Sequence, residues 1–207
     1  MIYPDSLRKS IEYLKKLPGI GEKSAERMAL SLIDLPLEDV QTLAKVLVDA
    51  KCNLHKCSIC NSLTENDICD VCLGVEQGIR DKNVICVLED AKSVFSFEKA
   101  RSDNAAYFNG SYHVLDGLIS PIDGIGPEDI NLASLIRRVE KLDNPEIIIA
   151  LKASSESEMT TLYIKKIFEG KDVNISRLSY GISIGVDIDY LDELTLFNAL
   201  NDRKKIS

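Results

Sequence analysis

Residues 57–72 read CSICNSLTENDICDVC. Two C-x2-C pairs, Cys57/Cys60 and Cys69/Cys72, stand eight residues apart with little apolar content between them. So short a segment builds no core of its own and needs a cross-link or a metal. Each pair turns tightly enough to offer two thiolates to one ion, and the connecting loop brings the second pair round to close a tetrahedron. Four thiolates leave no open coordination position, so a zinc ion held this way is structural, one per chain. A redox pair, two disulfides or an iron–sulfur cluster are the other readings of the same spacing. Cys52 and Cys86 fall outside it, and His55 and Cys52 are nearby substitute ligands.

The chain changes character on either side of this module. Upstream, Leu7, Ile11 and Leu14 recur at helical spacing within SLRKSIEYLKKL (6–17), with Ser6 as a candidate cap. PGIG at 18–21 breaks the helix. Helical spacing resumes at Ala25, Met28, Ala29 and Leu32, and again from Leu37 to Ala50. Downstream, VICVL (84–88), YHVL (112–115), EIIIAL (146–151) and VNISRL (173–178) are strand candidates. Helix-length segments separate them: 91–99, around 132–139, and 156–168. That alternation predicts a parallel sheet with helical cover. Pro127 is placed to begin a helix carrying Glu128 and Asp129. The tail GISIGVDIDYLDELTLFNAL (181–200) alternates like a strand and then becomes helical from about Leu191. It completes its own sheet or pairs with another copy. The fold expected is a multi-part α/β protein, without repeats or low-complexity tracts.

Charge narrows the function. The net charge is −8, which argues against a protein that coats DNA broadly. Residues 1–56 carry nine Lys/Arg and eight Asp/Glu, a balance of +1; residues 57–207 carry sixteen and twenty-five, a balance of −9. Nucleic-acid contact therefore belongs near the N-terminus, and the acidic remainder serves solubility or a basic partner. There is no apolar run of membrane-spanning length and no apolar signal core, so a cytoplasmic location is expected.

In LKKLPGIGEKSAERMALSL the turn at Gly19 and Gly21 opens backbone N–H groups at a helix start, which suits a phosphate oxygen. Lys23 and Arg27 lie four apart beside it, and Lys15 and Lys16 flank the turn. The pattern resembles a helix-hairpin-helix, which grips the DNA backbone without reading sequence; the competing reading is a helix pair with solvated charges. GIGEKS is not a nucleotide-binding loop, because Glu22 interrupts the required spacing and a helix precedes it.

Glu89 directly follows the first strand, at the edge where open α/β sheets bind ligands. It is a candidate Mg²⁺ or partner contact, or a capping residue. Glu156 and Glu158 lie near a helix start, where acidic residues are often favourable termini. His113 reads as a core histidine, and Tyr107, Tyr112 and Ser120 lack a local base. DGIGPED (123–129) is a docking loop or a packing loop.

Taken in order, LPGIGEKSAERMAL, the four cysteines, VLE, YHVLDGLISPIDGIGPEDI and GISIGVDIDYLDELTLFNAL resemble the bacterial RecR family of recombination mediators over essentially the whole chain. The resemblance implies a helix-hairpin-helix DNA-binding domain at 1–53, a four-cysteine zinc finger at 54–78, a Toprim domain at 79–176 and a C-terminal oligomerisation segment at 177–207. It implies no enzymatic activity. It implies dimers or ring-like tetramers that encircle DNA, single- or double-stranded. It also implies work with RecO, and in many bacteria RecF, to load RecA onto single-stranded DNA coated by single-strand-binding protein. The family's DNA contacts map onto Lys23 and Arg27, and its acidic partner surface onto Glu89, Glu156 and Glu158. The chain departs from the family at Leu151-Lys152-Ala153, where relatives carry Thr-Asn-Pro, at Ser157, where they carry glycine, and at Gly185-Val186, where they carry paired glycines. Two other readings remain: a Toprim-type Mg²⁺-dependent nuclease or primase-like enzyme using Glu89, and an oligomeric adaptor that never touches DNA.

Overall fold

The computed structural model describes residues 3–103, 108–179, 182, 185–201 and 203, with the backbone alone at 102, 103, 194 and 201. Tyr107 and most of the 181–184 stretch lie outside the described residues. The chain divides into two compact units, Met1–Leu54 and His55–Ser207.

The first unit is helical. Helix α1 (Asp5–Leu14) and helix α2 (Glu22–Asp34) pack through Leu7, Ile11, Ala25 and Ala29, with Leu14 and Ile20 at the margin. The two alanines have short side chains, and large apolar residues from α1 fill the seam. Ser6 is not the cap. Pro4 precedes the helix at the N-cap position, with no side-chain cap bond; its φ is preset for a helix entry and it has no N–H to satisfy. Helix α3 (Leu37–Asn53) follows Pro36 and buries none of its residues.

The second unit begins with the cysteine module. Strands β1 (His55–Lys56) and β2 (Leu63–Thr64) pair antiparallel, and helix α4 (Asp70–Glu76) follows. Then come β3 (Val84–Leu88), α5 (Ala91–Asp103), β4 (Ser111–Val114), α6 (Leu132–Val139), β5 (Glu146–Ala150), α7 (Ser155–Ile167) and β6 (Asn174–Arg177). The strands form one parallel sheet in the order β4-β3-β5-β6.

Strand periodicity sorts the core into two faces. Ile85, Val87, Ile147 and Ile149 pack with Leu132, Leu135 and Val139 of α6 and Ile164 of α7. Cys86, Leu88, Tyr112 and Val114 point the other way, to Ala91 and Val94 of α5 and to the four module cysteines. The metal module is thus part of the cover of one sheet face.

Two further sequence expectations are corrected. Pro127 does not begin a helix: Asp129 folds back on Gly126, its N–H donating to the Gly126 carbonyl and its carboxylate accepting from the Gly126 N–H at 2.8 Å. The helix starts only at Leu132, after Asn131. Within the tail, Ile188–Tyr190 is a 3₁₀ turn rather than strand, because the Asp187 side chain caps it. Helix α8 (Glu193–Asn201) then begins behind Asp192, which accepts from the Thr195 N–H at 2.9 Å.

His113 is a core histidine, fully buried, with its Nε2 2.8 Å from the Asn131 carbonyl. Burial holds its pKa down at about 4, and the Arg138 charge adds to that. The folded state therefore keeps it neutral, while the unfolded chain protonates near pH 6.5. The stability contribution is present above pH 6.5 and is lost as pH falls towards 4, at no more than about 1.4 kcal/mol per pH unit. Urea unfolding at pH 4.5 and 7 is expected to show this slope, and His113→Gln to flatten it. Equal slopes in the two proteins would assign the loss to other groups.

Candidate metal centre and nucleic-acid interface

The module's sulfurs converge because its backbone is tightly turned. The Cys57 N–H donates to the Ser62 carbonyl at 2.7 Å and the Asn61 N–H to the Cys57 carbonyl at 3.0 Å. Asn61 adopts a left-handed conformation, φ 63°, which asparagine tolerates better than most residues. In the second pair, Cys69 is the N-cap of α4 and Cys72 sits in its first turn. All four cysteines are buried, and their Sγ atoms lie within 4.8 Å of one another.

This donor set fits a zinc ion. Zn–S bonds of about 2.3 Å place tetrahedral sulfurs about 3.8 Å apart; Cys60 Sγ and Cys69 Sγ are 3.5 Å apart. No disulfide joins them, since all six cysteines are free. The thiols also influence one another's protons: hydrogen bonding from Cys60 pulls Cys57 down, and hydrogen bonding with Cys57 pushes Cys72 up. A dication among them favours all four as thiolates. Cys52 and His55 are exposed and are not among the grouped four. Cys86 belongs to the sheet, where burial pushes its thiol up to about 12.

The module is fastened to the outer strand of the sheet. The Val114 N–H donates to the Cys60 carbonyl at 2.8 Å, and Asn61 Nδ2 donates to the Val114 carbonyl at 3.1 Å. Lys56 Nζ reaches Asp116 at 2.8 Å. Below it, Arg80 is almost wholly buried and donates to the Gly110 carbonyl at 3.1 Å and to Glu98, which also accepts from the Tyr112 hydroxyl at 2.7 Å. Sequence reasoning missed Asn61 and Arg80. The only trace of the first was an asparagine directly after a metal-type cysteine pair, where a left-handed turn is common.

In the first unit, Gly19 has φ +80° and Gly21 is the N-cap of α2. The first N–H groups of α2 have no partner within the helix. Lys23 and Arg27 are exposed, one turn apart on α2. Neither is in an ion pair among the described residues. Lys15 differs, since it pairs with Glu22, and that hydrogen bond raises its pKa. Lys16 Nζ lies 3.9 Å from the centroid of the Tyr13 ring. Arg27 also borders a cleft of about 370 Å³ with Leu14, Met28, Leu32, Leu35 and Leu43.

At the carboxyl edge of the sheet, Glu89 follows β3, and Glu156 and Glu158 occupy the first turn of α7 after β5. Lys152 Nζ lies 2.9 Å from Glu89, and its pKa is raised by that hydrogen bond first and by Glu156 and Asp90 further out. Glu158 pairs with Arg177 at 2.6 Å. The Glu156 carboxyl is held below its ordinary value by the hydrogen bond with its own backbone N–H and by the Ser154 side chain. The three glutamates thus share one edge, but Glu89 and Glu158 each have a basic neighbour within the chain. Among the described residues, the four cysteines are the one group arranged to hold a metal ion. None of the described helices is long and apolar enough to cross a membrane.

The chain matches family models described as the RecR helix-hairpin-helix over residues 7–51, the RecR four-cysteine zinc finger domain over 54–73, a Toprim domain over 83–179 and the RecR C-terminal region over 181–204. Proteins named recombination protein RecR from Enterococcus faecalis strain V583 and Staphylococcus aureus strain Mu3 are each 44% identical to it over 206 residues, covering 100% of both chains. With the four-part order and the clustered cysteines already in place, this shows that the chain belongs to the RecR family of recombination mediator proteins.

Proposed function

We propose that the hairpin grips the DNA backbone through Lys23, Arg27 and the Gly19–Gly21 turn, while the Toprim edge receives protein partners. RecR proteins are non-catalytic, DNA-binding recombination mediators, and this assigns the parts of that role to residues. The observation that carries it is the pair of exposed charges on α2, unmatched by any ion pair among the described residues, beside a helix N-terminus. An anion there meets unpartnered N–H groups, a favourable helix dipole and two cations. Lys15 contributes less, because Glu22 already balances it; Lys16 remains available.

One zinc ion per chain, held by Cys57, Cys60, Cys69 and Cys72, supplies only structure: four thiolates saturate its coordination. Glu89, Glu156 and Glu158 form the docking edge for RecO, with RecF as a further partner, and the loading of RecA is the outcome. The protein acts in the cytoplasm at the nucleoid. Self-association is supported by α3, which buries nothing within the chain and exposes Leu37, Val46, Leu47 and Val48, and by exposed Tyr190, Phe197 and Leu200 in the tail. A dimer or tetramer presents several hairpins to one DNA, and multivalency turns a weak patch into a firm hold. Light scattering with and without DNA and purified RecO resolves the assembly. A Mg²⁺-dependent nuclease reading is set aside, since the Lys152 ammonium lies against Glu89 where acidic partners would have to converge.

The test is DNA binding by Lys23→Ala/Arg27→Ala beside the parent protein at low salt. A loss of about tenfold or more in affinity is expected, uniform across sequences. Unchanged affinity with intact assembly would leave only the adaptor that never touches DNA.

A further inference from the structure

Tyr13 is an aromatic ring without a structural task. It stands in the last turn of α1, six residues before Gly19, and is 68% exposed. It lies outside the hairpin core, which is built from Leu7, Ile11, Ala25 and Ala29. No hydrogen bond of its hydroxyl is present among the described residues. Among the described residues its one side-chain partner is Lys16, held over the ring with Nζ 3.9 Å from the centroid. The next lysine in sequence, Lys15, is turned instead to Glu22. The two adjacent lysines are therefore used differently: one is neutralised, while the other carries a free charge on a solvent-facing aromatic surface. Tyr13 and Tyr3 are the only aromatic residues among the first 54, and Tyr13 is the one beside the turn.

An exposed ring with an adjacent cation is the minimal device for holding an unstacked base. The ring takes the base by its face, and the cation meets the neighbouring phosphate. Duplex DNA keeps its base faces stacked inside and offers such a ring only backbone and groove edges. We propose that Tyr13 and Lys16 form a base-stacking platform beside the hairpin, which makes the hairpin prefer single-stranded over duplex DNA. The platform rests on the reading of Lys23 and Arg27 as phosphate contacts and adds strand selectivity to it.

The experiment compares the parent protein, Tyr13→Ala, Tyr13→Phe and Lys23→Ala/Arg27→Ala on a single-stranded oligonucleotide and on its duplex. Tyr13→Ala is expected to lose about fivefold or more on single strands and less than about twofold on duplex, with Tyr13→Phe close to the parent. The α2 double variant is expected to weaken both. An exposed position makes misfolding of Tyr13→Ala unexpected, and circular dichroism checks it. The chain has no tryptophan, so Tyr13→Trp adds a single reporter whose fluorescence single strands should quench and duplex should not. Equal losses on both DNAs, or none with Tyr13→Ala, overturn the platform. If the double variant still weakens both DNAs, the hairpin reading survives without it; if the double variant changes nothing, the hairpin reading itself has failed.

Discussion

Cys72→Ser is expected to abolish zinc binding and to unfold the module it belongs to. Metal content, read with a metallochromic dye after protein digestion, should fall from one ion per chain to none. The expected cost is several kcal/mol, because structural zinc contributes on the order of 10 kcal/mol to small modules that have no core of their own. The damage should not stop at residue 78. The cysteines share a hydrophobic cluster with Cys86, Leu88, Tyr112 and Val114, and the Cys60 carbonyl and Asn61 side chain hold the Val114 backbone. Hydrogen exchange should therefore speed up along β4 as well as in the module. The α1/α2 hairpin, a separate compact unit, should keep its helicity. A variant that retained one tightly bound zinc and an unchanged unfolding transition would remove Cys72 from the ligand set.

Arg80→Ala carries the second large effect, with an expected loss of about 3 kcal/mol. The Arg80 side chain is only 5% exposed, and its partner Glu98 is 28% exposed. Removing the guanidinium leaves the Glu98 carboxylate with the Tyr112 hydroxyl and a more distant Arg101, at 3.8 Å, and strips the Gly110 carbonyl of its 3.1 Å donor. Arg80 also packs over Gly74 of α4, at 3.6 Å from the position a Cβ would take, so the truncation opens a void beneath the metal module. Denaturant unfolding of the parent, Arg80→Ala and Glu98→Gln should show the largest loss for Arg80→Ala. Glu98→Gln should cost less, since its one amide oxygen can still accept from Arg80 while its NH2 donates to the Tyr112 hydroxyl oxygen. A loss under about 0.5 kcal/mol for Arg80→Ala, the range of ordinary surface changes, would mean that the pair is solvated and contributes little.

Much of this architecture is legible in the residues. VICVL and EIIIA are too short for helices and too continuously apolar for a solvent-facing strand, and both are inner strands of the parallel sheet. The paired cysteine spacing named the four cysteines that come together. Of the residues that periodicity marked in the hairpin, Leu7, Ile11, Ala25 and Ala29 form the seam and Leu14 its margin, while Met28 is exposed. What escaped depends on contacts distant in sequence or on very short elements. The two-residue strands β1 and β2 have no periodicity to read. Asn61 matters through Val114, 53 residues away, and Arg80 through Gly110 and Glu98. Lys152 is 63 residues from Glu89 in sequence, and only the fold shows its ammonium against that carboxylate. Pro127 misled because a helix-start signal was outweighed by a local turn in which Asp129 satisfies Gly126. In the tail, an alternation suited to a strand yielded to the Asp187 cap.

The proposed DNA binding depends on the phosphate grip of Lys23 and Arg27. Its most direct measurement is the salt dependence of duplex binding between 50 and 200 mM salt, for the parent and for Lys23→Ala/Arg27→Ala, with equal assembly confirmed by light scattering. Each phosphate neutralised contributes about −0.9 to the slope of log K against log salt. The double variant should therefore bind more weakly and lose about 2 from the magnitude of that slope for every hairpin engaged. Two parallel lines of equal affinity would mean that Lys23 and Arg27 do not touch the DNA.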